Sequence, residues 1–186
     1  MKKKLVLVVL VAALFLGVTG TAMAEIRLDF DIPWLLAVGV NTSDVTGSTT
    51  NSVDLSSYHF PLPYVELAYQ FGEENAFIRG GLGLRSYTIL IEFIGWPMAY
   101  VEVEPLERLV LRAELGGFAF FLLGAYNQLY FDNYTVQVFL PDFQASFALA
   151  PWFRLGAGVL LIVPSGNLAN FGYVTYVNAR FALTWK

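Results

Sequence analysis

The 186-residue chain carries 11 basic and 15 acidic side chains, a net charge of −4, which speaks against a nucleic-acid partner whose phosphates would call for a basic patch. It contains no cysteine, which excludes a disulfide framework, a thiolate-ligated metal and a lipid-modified N-terminal cysteine. Its length is that of one domain.

Met1 to Lys4 is a basic n-region, Leu5 to Val18 an apolar h-region and Ala22-Met23-Ala24 an A-x-A site, so residues 1–24 read as a cleaved secretory signal peptide. A transmembrane anchor is the alternative, but the apolar core is shorter than the roughly 20 residues a helical span requires. Removing 1–24 takes away Lys2, Lys3 and Lys4 and leaves residues 25–186 with 8 basic against 15 acidic side chains, a net charge of −7.

The remainder predicts about eight strands of one character. The first, from about Ile26 to Val40, alternates Ile26, Leu28, Phe30, Ile32, Trp34, Leu36, Val38 and Val40 against Arg27, Asp29, Asp31, Leu35, Ala37 and Gly39. Residues 41–57, rich in Ser, Thr, Asn, Asp and Gly, read as a long polar loop. The second strand turns Val65, Leu67, Tyr69 and Phe71 one way and Tyr64, Glu66, Ala68 and Gln70 the other, and ends in a tight turn at Gly72 to Asn75. In the third, Ile78, Gly80, Leu82 and Leu84 oppose Arg79, Gly81, Gly83 and Arg85. From Thr88 to Met98 the alternation degrades, and Gly95-Trp96-Pro97 is the expected reversal.

The strictest alternation runs from Ala99 to Phe121 and reads as a hairpin about Pro105 to Glu107. Ala99, Val101, Val103, Leu109, Leu111, Ala113 and Leu115 share one face, while Tyr100, Glu102, Glu104, Arg112 and Glu114 share the other. Residues 122–134 form a second long loop. Phe139, Phe143, Ala145, Phe147 and Leu149 then oppose Asp142, Gln144 and Ser146 before a turn at Ala150-Pro151. A seventh strand sets Phe153, Leu155, Ala157, Val159, Leu161 and Val163 against Arg154, Gly156, Gly158, Leu160 and Ile162. After a loop at 164–170, the last strand sets Phe171 to Trp185 at odd positions against Asn178 and Arg180. Pro33 and Pro141 fall inside strands and predict a bulge, a kink or a break in pairing there.

No outward position in any strand is charged, whereas the opposite faces, taken together, carry charge of both signs. A soluble barrel buries its apolar face; a lipocalin-like periplasmic barrel is therefore the weaker architecture, and an all-β, closed antiparallel transmembrane barrel the stronger. Closure leaves no strand edge unpaired in lipid. Residues 25–186 resemble the small eight-stranded outer-membrane barrels of Gram-negative bacteria, the OmpX, OmpA-transmembrane and OmpW-like group. The likeness is one of pattern and length, with no signature motif. Tyr173, Val177, Phe181, Leu183 and Trp185 are similar to the C-terminal assembly signal of such barrels, with Lys186 as a departure after the final aromatic. The resemblance implies an outer-membrane location, contact with outer-membrane lipid and lipopolysaccharide, and both termini in the periplasm.

Some barrels of this kind modify lipid A with a histidine, a serine and an acid. His59 is the one histidine here, but it is followed by Phe60-Pro61 and lacks the His-x-Ser pattern. No paired acid is marked by its spacing, so no catalytic residue is assigned. Asp29 with Asp31 and Glu102 with Glu104 share strand faces with as many arginines, and no His or Cys cluster offers metal ligands, so neither a metal nor a cofactor is expected.

The inward charges predict instead an ion-paired plug near the periplasmic end built from Arg27, Asp29, Asp31, Glu66, Arg79, Glu102, Arg112, Glu114, Arg154 and Arg180, with Gln144 beside them. Above it, Leu35, Tyr64, Phe118, Phe120, Leu160 and Ile162 are expected to line an apolar vestibule for a small hydrophobic ligand. The alternative is a structural or surface-adhesion barrel that meets an extracellular partner through the loops at 41–57 and 122–134.

Overall fold

Along Tyr64–Phe71 exposure alternates: Val65, Leu67 and Tyr69 are 36%, 52% and 51% exposed, whereas Tyr64, Glu66, Ala68 and Gln70 lie between 1% and 5%. A strand in water would expose the glutamate and bury the leucine. This inversion holds around the molecule, because Arg79, Arg85, Arg112, Glu114, Asp142, Arg154 and Arg180, on other strands, are buried as well. The surface so presented suits hydrocarbon.

The computed structural model describes residues 25–44, 47–57, 61–72, 76–89, 92–117, 120–123, 129–130, 138–164 and 169–185. The expected signal peptide, His59, Phe118 and Lys186 lie outside them. Its strands are β1 (Glu25–Asp44), β2 (Gly47–Asp54), β3 (Tyr64–Phe71), β4 (Ile78–Ile89), β5 (Glu92–Leu106), β6 (Leu109–Gly117), β7 (Phe121–Leu123), β8 (Leu129–Tyr130), β9 (Val138–Ala150), β10 (Phe153–Pro164) and β11 (Phe171–Trp185). Eight of them close an antiparallel ring in the order β1, β3, β4, β5, β6, β9, β10, β11 and back to β1. The β3–β4 connection and the turns at Glu107–Arg108 and Pro151–Trp152 share one end with Glu25 and Trp185; the longer connections share the other. Short turns and both strand termini mark the periplasmic end of an outer-membrane barrel, and the protein is a barrel of that kind.

Three sequence expectations are corrected. Gly95-Trp96-Pro97 is no reversal: β5 runs through it and pairs with β4 from Ile89↔Glu92 to Ile78↔Val103. Residues 41–57 are no plain loop either, since β1 continues to Asp44 and folds back as β2, with pairs from Ala37↔Asp54 to Asp44↔Gly47. Threonines suit a strand as well as a loop, and Thr50 Oγ1 donates to Asn41 Oδ1 at 3.0 Å across this hairpin. Third, a bulge at Leu36 shifts the register from Leu35↔Tyr176 to Ala37↔Thr175. One inserted residue reverses every facing beyond it, so Ala37 and Gly39 join the outer face of Thr175 and Tyr173, and Val38 and Val40 turn to the lumen side.

The strand prolines sit where one of their two ladders is interrupted. Pro33 pairs with Asn178 on the β11 side, while on the β3 side the ladder stops at Asp31↔Tyr64 and returns only as the bridge Trp34↔Pro61. Pro141 pairs with Leu115, and toward β10 it falls in the gap between Leu160↔Asp142 and Val163↔Phe139. Pro97 pairs with Leu84 and lies between Gly95↔Phe121 and Met98↔Gly116 on its other side. The missing donor thus costs no ladder bond on the intact side.

Candidate functional site

The even-numbered or odd-numbered charges of each strand converge in the lumen because the side-chain period is two and the barrel has one inside. Nearest the periplasmic end the hub is Glu102 on β5. Its carboxylate meets Arg27 Nη1 at 2.9 Å, Arg79 Nε at 3.4 Å, Arg112 Nη1 at 3.2 Å and Arg154 Nη1 at 3.3 Å. The register sets Arg79, Glu102 and Arg112 side by side, whereas Arg27 and Arg154 reach across from β1 and β10. Arg27 Nε also meets Asp29 at 2.8 Å. The guanidinium of Arg112 stacks 3.9 Å from the centre of the Tyr100 ring.

One layer up, Arg112 Nη2 contacts Glu66 at 2.6 Å and Glu114 at 3.0 Å, and Arg180 Nε meets Asp31 at 2.7 Å. The Tyr64 hydroxyl donates to Asp31 at 2.9 Å and accepts from Arg180 Nη2 at 2.7 Å and Gln144 Nε2 at 3.2 Å. Asn178 Nδ2 donates to both Asp31 oxygens.

Above this lies Arg85, 0% exposed, held at 2.6 Å by each of Glu66, Glu114 and Asp142 and lying 4.3 Å over the Tyr64 ring. Tyr176 donates to the second oxygen of Asp142 at 2.6 Å. Over Arg85 the lumen turns apolar: Tyr87 stacks on Trp96 at 5.2 Å, Trp96 meets Phe120 edge-on at 5.8 Å, and Met98 and Leu140 complete the cluster.

Burying an ion costs several kcal/mol, a cost recovered only where partners and geometry are complete, and arginine's planar fork supplies both for carboxylates. The arrangement therefore fixes side chains across the barrel and fills its bore.

All ten residues expected in the charged plug are in ion pairs, spread over several heights of the lumen. Glu66 pairs with Arg85 and Arg112, and Gln144 serves Arg180. Tyr64, expected in the vestibule, is 1% exposed with its hydroxyl among the charges. Phe120 and Leu160 pack against the aromatic cluster, Leu35 is partly buried opposite Tyr176, and Ile162 is 40% exposed. Arg85, Asp142, Tyr176 and Asn178 were absent from the expected network. Arg85 and Asp142 lie on the predicted inward faces, so the alternation carries the signal for them.

No family model and no curated protein matches this chain. Among solved structures it is similar to Neisserial surface protein A at 12% identity and a TM-score of 0.44, covering 86% of this chain and 98% of that one. It is similar to Ail, the attachment invasion locus protein of Yersinia pestis, at 12% identity and a TM-score of 0.38, over 84% and 98% of the two chains. A third is the outer membrane protein OprG from Pseudomonas aeruginosa, at 9% identity and 0.34, over 86% and 95%.

Proposed function

We propose that this protein is a sealed outer-membrane barrel that conducts no ions and works through its extracellular end. The observation that carries the reading is Arg85, fully buried at mid-lumen with three carboxylates at 2.6 Å and the Tyr87–Trp96 stack above it. An ion crossing here would have to pull Arg85 from three buried carboxylates, leaving buried charge without its partner. The outer apolar face meets membrane lipid and lipopolysaccharide and holds the barrel in place. Contact with an outside partner falls to the β1–β2 hairpin, where Thr49 to Asp54 are exposed and β2 pairs, among the described residues, with β1 alone. An edge strand of that kind offers unsatisfied backbone groups to a partner strand.

A planar-bilayer recording of the refolded protein tests the seal. The expected record is a flat baseline, and discrete current steps in the wild type would overturn the reading. The partly exposed Leu35, Phe120, Leu160 and Ile162 at the top of the aromatic layer favour a second reading, capture of a small hydrophobic molecule at the mouth. Saturable binding of a hydrophobic fluorophore that Leu160→Asp abolishes would establish it; indifference to that substitution would leave the hairpin as the working surface.

A further inference from the structure

The charges of the lumen are unevenly shared along its axis. Arg85 has three carboxylates at 2.6 Å, whereas at the periplasmic end four guanidiniums divide the single carboxylate of Glu102 at 2.9 to 3.4 Å. Arg27 and Arg112 make up the shortfall with Asp29 and Glu66, and Arg79 with Glu104 at 3.5 Å. Among the described residues Arg154 meets Glu102 alone, through Nη1, at 3.3 Å to each oxygen. Its Nε is buried without an acceptor, as is Nη2 of Arg27.

A recess of about 260 Å³ opens at this place, between the Glu107–Arg108 and Pro151–Trp152 turns. Arg79, Arg108 and Arg154 line it, with Leu149 and Pro151 as an apolar wall. A smaller recess of about 20 Å³ beside it shares Arg79, Pro151 and Arg154 and adds Arg27. Glu104 is the one acid on the wall, and its oxygens are engaged by Arg79 Nη2 at 3.5 Å and the Arg108 backbone N–H at 3.1 Å. Arg108 reaches the rim from a turn at φ 71°, where Glu107, 3.7 Å away and 90% exposed, is its one ion-pair partner among the described residues.

We propose that this recess is a binding site for a phosphate-type oxyanion presented from the periplasmic side. Arg154 supplies a buried and under-neutralised guanidinium, Arg108 an exposed one that closes over the ligand, and arginine forks match phosphate oxygens bidentately. The apolar wall at Leu149 lies on the lipid-facing side, so the same chemistry suits free phosphate or the headgroup of an anionic phospholipid in the inner leaflet.

The protein refolded into phosphate-free maltoside micelles is titrated calorimetrically with inorganic phosphate and, separately, with short-chain phosphatidylglycerol. Saturable binding of either is expected, weakened about tenfold by Arg154→Gln and about threefold by Arg108→Gln. Phosphate as the ligand identifies a soluble anion; phosphatidylglycerol binding in the presence of excess phosphate identifies a headgroup. Arg108 is on an exposed turn, so its variant folds whatever the fate of the other, and heat-dependent gel mobility verifies both. No saturable binding of either probe, or binding unchanged in the two variants, overturns the proposal.

Discussion

Arg85 and Asp142 are 57 positions apart, on strands that are not neighbours in the barrel, and meet across the lumen at 2.6 Å. Such a contact ties β4 to β9 through the bore, so the two walls are joined by a path independent of the backbone ladders. Around it Glu66 and Glu114 compete for the same guanidinium, which makes Arg85 the residue on which three charges depend.

Arg85→Met should therefore be the most damaging lumen substitution, costing about 3–5 kcal/mol because it leaves buried charge without a partner. Urea-induced unfolding in lipid vesicles reads the loss. In a double-mutant cycle with Asp142→Asn the second change should cost much less than it does alone. Strict additivity would mean the pair is not coupled.

The outer face makes the opposite demand. Leu111 is 44% exposed between its ladder partners Val103 and Ala145 on the apolar outer face, so Leu111→Arg should cost about 2–4 kcal/mol, and Val159→Arg a similar amount. Asn51→Arg on the β2 edge should cost little, because that side chain is exposed in the extracellular hairpin. Equal losses at all three positions, measured by the same unfolding titration, would contradict a lipid-facing belt.

How far the sequence could be read follows from the same two faces. With a period of two and one inside, alternation alone sorted Glu66, Arg85, Glu102, Arg112, Asp142 and Arg180 to the lumen, whatever their partners. Height was not legible: strands in a barrel are tilted and staggered, so the distance of Arg85 from its nearest turn says little about which carboxylates it meets. Leu36 gave no local sign of the bulge that reverses Val38 and Val40. Pro97 looked like a turn because a proline is usually kept out of a ladder, and the gap that accommodates it depends on β6 and β7, far along the chain.

Close approach of side chains over glycines yields a further test. A Cβ at Gly81 would stand 2.4 Å from the Tyr100 ring, whose face carries Arg112, while one at Gly83 would stand 2.2 Å from the Leu67 carbonyl oxygen. A ring can shift and a ladder carbonyl cannot without losing its strand. Gly83→Ala should therefore exceed Gly81→Ala in cost, the latter being about 1–3 kcal/mol as for ordinary overpacking. Tyr100→Leu should relieve most of the Gly81→Ala penalty and none of the Gly83→Ala penalty.

Charged layer and aromatic layer lie in series: Arg85 with Asp142 below, Tyr87, Trp96 and Phe120 above. Removing Arg85 and Asp142 together as alanines deletes one charge of each sign and leaves Glu66 to Arg112 at 2.6 Å, so the barrel keeps its remaining pairs. The path then widens at mid-lumen but still ends under an apolar lid, where a hydrated ion would lose its water without replacement. The Arg85→Ala/Asp142→Ala protein should consequently give the same flat bilayer record as the wild type, and so should Trp96→Ala alone. Only the triple variant should show unitary steps. Steps in the double variant would place the whole seal in the charged layer, and steps in Trp96→Ala alone would place it in the aromatic one.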